Sequence, residues 1–157
     1  MYVKKMLVLA LTMLLGVALV LAQGDSKSEA EAITQMLQDY AAAVESKDLA
    51  EIEKYVVTTD AFTVFEGGHI NWGWADYRDH HLAPELKEFQ EFKYSYENIK
   101  PHVVGDLAYA TLKYNIYIKM KEREIDGQGL ATMVLTKQDG AWKIRHVHTS
   151  RIPKRKH

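Results

Sequence analysis

The segment LAYATLKYNIYIKM, residues 107–120, sets Leu112, Ile116 and Ile118 against Tyr109, Tyr117, Lys113 and Asn115 in strict alternation. A period of two places successive side chains on opposite faces of a β-strand, so this stretch reads as one long strand with two different faces. Its neighbours read the same way. EFKYSYENIKPHVV precedes it across a turn at Gly105-Asp106, and GQGLATMVLTK follows a charged turn at Glu122 to Asp126. Asp139-Gly140 is a hairpin signal, after which AWKIRHVHTSRI closes the strand region. Connections this short favour antiparallel pairing. A sheet of such strands has a face that must be covered, and the first half of the chain has to supply the cover.

That half carries helical periodicity. SEAEAITQMLQDYAAAVESKD places Ile33, Met36, Leu37, Tyr40 and Val44 on one stripe, and Ser28 with Glu31 reads as a capping box. DLAEIEKYV repeats the pattern, with Asp48 as cap and Leu49, Ile52 and Val56 on one face. AFTVFEGGHINW then changes period around Gly67-Gly68 and predicts a hairpin. GWADYRDHHLAPELKEF returns to helical spacing, with Trp74, Tyr77 and His81 on one side and Pro84 placed to end or interrupt the helix. The prediction is an α+β domain over residues 23–157, its helices covering one face of a curved antiparallel sheet.

The front of the chain narrows the setting. Lys4 and Lys5 precede an uncharged apolar run from Met6 to Leu21, and Val20-Leu21-Ala22 suits a cleavage site. This is the pattern of a secretory signal peptide, residues 1–22. The run is short for a membrane of ~30 Å hydrocarbon thickness, which disfavours a retained anchor. With no cysteine, the chain has no lipoprotein anchor, disulfide or thiol catalysis. A formal net charge of −1 argues against a nucleic-acid partner. The short basic tail RIPKRKH, beyond the domain proper from about residue 153, reads as a solvated end.

Candidate chemistry centres on WKIRHVHTS. If the last strand is regular, Trp142, Ile144, His146, His148 and Ser150 share one face and run from packed core to a wetter rim or pocket. A zinc site needs more ligands than two histidines, and none of His69, His80, His81 and His102 stands at a familiar spacing, so the expectation is no metal and no cofactor. Trp74, Tyr77, Arg78 and His81 read equally as one wall of a small-ligand site or as helix core. Asp60, Asp76, Asp79 and Glu97 are the candidate general bases, although each reads more readily as a cap or a solvated group. No Gly-x-Ser-x-Gly elbow is present.

PHVVGD at 101–106, AFTVFEGG after the second helix, and the series Asp139, Gly140, Trp142, Ile144, His146, His148, Ser150 and Pro153 carry a resemblance. The chain resembles a SnoaL-like domain of the nuclear transport factor 2-like superfamily, and within it the association (hub) domain of calcium/calmodulin-dependent kinase II. No kinase signature accompanies it. The resemblance implies a cone-shaped fold, a pocket between helices and sheet, and a homodimer through the sheet. It also implies a small organic ligand, a carboxylate among the candidates. At the positions where the hub domain carries its pocket arginines, this chain has Asn115, Met133 and Thr149, and Arg78 stands at the histidine position. Arg78 could still grip a carboxylate with two prongs.

The ligand-binding set expected from residues and resemblance together is Trp74, Tyr77, Arg78, His81, Asn115, Met133, His146 and His148. The expected function is an exported, non-catalytic, small-molecule-binding domain. An acid/base isomerase or hydrolase-like enzyme and a structural dimerisation module are the alternatives. Export predicts that the mature protein begins at Gln23. N-terminal sequencing checks this, and membrane-bound protein that keeps Lys4 and Lys5 would refute it.

Overall fold

A computed structural model describes residues 26–153. The predicted signal peptide and the end of the basic tail lie outside the described residues. Helix α1 covers 26–46 and carries the anticipated stripe, with Ile33, Leu37, Tyr40 and Val44 buried and Met36 packed against them. Ser28 lies inside this helix, so the expected capping box does not mark its start. Helix α2 (Leu49–Glu53) is capped as anticipated: the Asp48 carboxylate accepts from the amides of Ala50 and Glu51 at 3.0 and 3.1 Å. The hairpin β1 (Thr63–Glu66) and β2 (His69–Trp72) turns on Gly67 and Gly68, both at positive φ, as a two-residue turn between right-twisted strands requires.

The next helix shows what Pro84 does. Helix α3 (Trp74–Tyr77) runs into a π-helical turn, Arg78–Leu82, and continues as α4 (Ala83–Glu88). Proline cannot donate to the carbonyl four residues back, and its ring crowds that carbonyl. The turn before it widens instead of breaking, with the Ala83 amide reaching back to the Arg78 carbonyl.

Four long strands follow: β3 (Glu91–Val104), β4 (Leu107–Lys119), β5 (Glu124–Gln138) and β6 (Ala141–Arg151). The six-stranded sheet has the order β2-β1-β6-β5-β4-β3. One expectation needs correction: β1 pairs parallel to β6, so the sheet is mixed and not wholly antiparallel. The long connection from β1 through β2, the helix and three further strands to β6 makes that parallel pairing possible. The inner face brings Leu112, Met133, Leu135, Ile144 and Val64 onto Ile33, Leu37, Ile52 and Phe62. Each such burial is worth ~1.5–3 kcal/mol before chain entropy is set against it. Strand β3 lies at an edge, where Glu45 of α1 accepts from its Tyr94 amide at 2.8 Å.

Two bulges bend the sheet. In β3 the register shifts between Glu97 and Lys100, with Asn98 at φ 56°, a conformation asparagine tolerates better than most residues. In β6 Val134 faces His146 while the next residue of β5, Leu135, faces Ile144, which leaves Arg145 as the extra residue. This overturns the regular-strand expectation. Trp142 and Ile144 point inward, but beyond Arg145 the inward set is Val147, Thr149 and Arg151. His146, His148 and Ser150 face the outer side of the sheet. There His146 Nδ1 lies 2.7 Å from Thr63 Oγ1, and both imidazoles sit edge-on to Phe65.

The bulge makes a prediction about chain length at this one position. Arg145→Ala should change the unfolding free energy from urea denaturation by no more than about 0.5 kcal/mol, because the side chain is exposed. Deleting Arg145 joins Ile144 to His146, so a regular strand keeps Trp142, Ile144, Val147 and Thr149 inward, and the variant should fold with a loss of no more than about 1–2 kcal/mol. Inserting an alanine after His148 instead turns Thr149 and Arg151 outward and Ser150 inward, and should abolish ligand binding. A deletion variant that fails to fold would show that the extra residue does more than set the strand's facing.

Candidate functional site

Beyond the packed core, the inner sheet face and helix α4 diverge around a cavity of about 690 Å³. The alternation of β4 aims Ile116 and Ile118 into it, and Ile125, Met120 and Phe89 complete an apolar wall. The opposite side is polar. The hairpin end brings Glu66, the helix brings His81 and Glu85, and the inward half of β6 brings Thr149 and Arg151. A more open groove of about 460 Å³ lies between α1 and β3, but its carboxylate, Glu45, is already consumed by the Tyr94 amide and Lys93.

Tyr114 forms the inner limit of the cavity, and its place depends on Gly129. A Cβ at Gly129 would stand 2.2 Å from the Tyr114 ring, so only glycine lets the phenol lie flat across β5.

His81 occupies the π-helical turn and is held from behind. Its Nδ1 lies 2.8 Å from Asn71 Oδ1, while Asn71 Nδ2 donates to Asp76 at 3.0 Å and Tyr77 packs against the ring at 5.1 Å. Its Nε2 faces Glu85 Oε1 at 3.6 Å and Glu66 Oε2 at 3.9 Å. The Glu66 side chain is 43% exposed on the cavity side, and its carboxyl is otherwise enclosed by the protein. Burial pushes that carboxyl above the usual range, with His81 pulling the other way when charged and Glu85 adding to the rise.

Of the residues expected to bind ligand, His81 lines this cavity, as does Thr149 from the positions the resemblance singled out. Trp74 is 2% exposed core: it packs on Phe62, and its indole donates to Glu53 at 2.8 Å. Tyr77 is buried behind His81 and Met133 lies in the core. Arg78 is taken up by Asp79 at 2.7 Å and Glu53 at 3.0 Å, which leaves little of its fork for a ligand carboxylate. Asn115 lies on the outer face between Glu97 and Gln128, and His146 and His148 lie on that face too. The predicted bases fare similarly. Asp76 is held low by Asn71, Asp79 by Arg78 and Glu97 by Lys113, and neither these three nor Asp60 lines the cavity. Among the described residues, no group of three or more acidic, histidine or cysteine side chains could hold a metal ion, and no helix is long and apolar enough to cross a membrane.

Sequence reasoning missed Glu66, Glu85 and Arg151. Glu66 shares a face with inward Val64, a two-residue signal easily lost in a four-residue strand. Glu85 stands four residues after His81, a spacing that a helix turns into neighbours. Arg151 becomes visible only once the bulge is known.

A carboxyl raised by its surroundings lowers stability wherever it must be charged. Glu66 binds its proton more tightly folded than unfolded, so it weakens the fold as pH rises through and above the ordinary carboxylate range. Glu66→Gln should therefore raise the melting temperature at neutral pH. The gain should vanish below the ordinary carboxylate range, where Glu66 is protonated in both states. A Glu66→Gln protein less stable at neutral pH would contradict this.

Comparisons place this geometry among known proteins. The profile of the SnoaL-like domain matches residues 33–154. No curated protein sequence matches the chain. Among solved structures, a nuclear transport factor 2 (NTF2-like) superfamily protein from Salmonella enterica serovar Typhimurium superposes with a TM-score of 0.75 at 16% identity, covering 82% of this chain and 94% of that one. A Shewanella frigidimarina protein provisionally named a ketosteroid isomerase is 26% identical with a TM-score of 0.64, over 74% of this chain and 92% of its own. The association domain of CaMKII from C. elegans gives 20% identity and a TM-score of 0.65, over 80% and 98%. The chain belongs to the SnoaL-like domain family and has the nuclear transport factor 2-like fold.

Proposed function

We propose that this protein is an exported, non-catalytic domain that binds a small, partly apolar organic molecule in the cavity beside His81. The observation that carries this reading is the division of one cavity into an apolar wall and a polar wall. Ile116, Ile118, Ile125 and Met120 offer a surface only an apolar body rewards, while His81, Glu66 and Thr149 offer hydrogen bonds that fix its orientation. Among the described residues, no core side chain fills this space, as one would in a purely structural module.

The outer face supports a homodimer. Trp72 is 65% exposed, Leu130 53% and Tyr109 46%, and all three lie on the side of the sheet that carries Phe65, His146 and His148. Such a patch is costly in water and is covered when two copies meet face to face.

Acid/base chemistry is a second reading, favoured by Glu66. A carboxyl held above its usual range beside an oriented imidazole suits proton movement next to a carbonyl, and the Shewanella relative carries an isomerase's name. In that case Glu66→Gln would keep ligand affinity and lose turnover.

Native mass spectrometry of the protein purified from its own export compartment tests the main reading. The expected result is a dimer mass with a small molecule retained per chain. Ile116→Trp should fill the cavity and lose that molecule while the dimer remains. Ligand-free monomers would overturn both parts.

A further inference from the structure

The polar side of the cavity has a direction of its own, set from outside it. An ionised Asp76 carboxylate can only accept hydrogen bonds. Its Oδ2 takes the Asn71 side-chain amide at 3.0 Å and the Trp72 backbone amide at 3.2 Å, while Oδ1 faces His80 Nδ1 at 3.1 Å. The NH2 end of Asn71 is thereby committed to Asp76, and its carbonyl end must face His81. That carbonyl, 2.8 Å from His81 Nδ1, can only accept, so Nδ1 carries a hydrogen. In the neutral ring this leaves Nε2 bare. Nε2 faces the cavity, and both carboxylates across from it, Glu85 at 3.6 Å and Glu66 at 3.9 Å, stand beyond hydrogen-bond reach. Three acceptors thus converge on one end of the space, and the donor and the positive charge that reach them are already engaged: the Thr149 hydroxyl bonds Glu66, and the charge of Arg151, at the exposed end of β6, acts on the same carboxylate. Arg123 lines the cavity from the β4–β5 turn.

We infer that Asn71 and Asp76 are positioning residues that hold His81 with its Nε2 lone pair facing the cavity, and that this end of the site takes a neutral hydroxyl donor, such as a phenol, enol or alcohol, in preference to a carboxylate. The inference rests on the ligand-binding reading of the cavity and narrows its ligand class. A hydroxyl can donate to Nε2 without needing a donor in return. A carboxylate brings a fourth acceptor to a place that already holds three, where the Thr149 hydroxyl already serves Glu66, and an unpaired acceptor there forfeits its hydration. The same arrangement gives Asp76, a candidate base by sequence, a role behind the imidazole.

Two probes with one apolar body separate the possibilities: 2-naphthol, neutral at neutral pH, and 2-naphthoate. Isothermal titration of the full chain should give at least about tenfold tighter binding of the naphthol, the ratio expected for one good hydrogen bond. Nitrogen-15 NMR of the imidazole should find the hydrogen on Nδ1 of His81. Asp76→Asn frees the Asn71 amide to turn, so hydrogen should appear on Nε2. Naphthol affinity should fall about tenfold while naphthoate affinity stays within about twofold. Asn71→Leu should act in the same direction. A wild-type His81 with its hydrogen on Nε2 overturns the positioning role whether or not any probe binds. Equal or tighter binding of naphthoate overturns the donor preference and leaves the cavity reading intact. Failure of both probes to bind overturns the cavity reading and the ligand class with it.

Discussion

The structure turns on one extra residue in the last strand. Arg145 has no partner on β5, and the facing of everything after it is reversed. Before the bulge, β6 buries Trp142 and Ile144 in the core, bridged to residues 55–57 by the bonds from Val57 N to Ile144 O and from Ile144 N to Tyr55 O. After it, β6 pairs with β1 and sends Thr149 and Arg151 into the cavity. One strand thereby serves as core at one end and binding wall at the other. The two histidines that dominate its sequence are moved to a surface where Thr63 and Phe65 receive them.

The cavity exists because packing stops partway along the sheet. Near α1 and α2 the inner face meets helix stripes side by side. Towards Ile116 and Ile118 the covering element is α4, whose buried contribution is Leu86. Bulges in β3 and β6 add curvature, and a curved sheet under a straight helix leaves space at one end. Carboxylates on the helices hold this frame in place: Glu29 accepts from Trp142 and Lys137, Glu45 from the edge of β3, and Glu53 from Trp74 and Arg78. Each ties an indole, amide or guanidinium that would otherwise face solvent or lie unsatisfied, and each is pulled below its usual pKa by that bond. Arg78 is therefore part of the scaffold, which is why it is lost to the ligand.

Periodicity carried most of the fold into the sequence. The stripe Ile33, Leu37, Tyr40, Val44 and the alternation of β4 appear in the structure as the one-dimensional pattern implied, because each depends on a single dominant period. The site was far less legible. His81 was found because a histidine on a helical stripe is conspicuous. Glu66, Glu85 and Arg151 were not, because their convergence depends on a bulge, a wide helical turn and a parallel strand pairing, and none of these changes local composition. His146 and His148 misled for the same reason: two residues of spacing fix a shared face but not which face.

The wide turn at Arg78–Leu82 has a consequence for how such a site comes and goes. A π-helical turn holds one residue more than the α-helical turn it replaces. Losing a single codon there, with Pro84 replaced by a residue that has an amide hydrogen, would restore ordinary helix and swing His81 by about 100°, away from the pocket, while the apolar stripe on either side kept its register to within a turn. With Pro84 in place no such relaxation is open, since it has no hydrogen to give to a tightened turn. The imidazole's direction is thus a property written into chain length and one proline. Lineages could acquire or discard it in two steps without redesigning the scaffold that surrounds it.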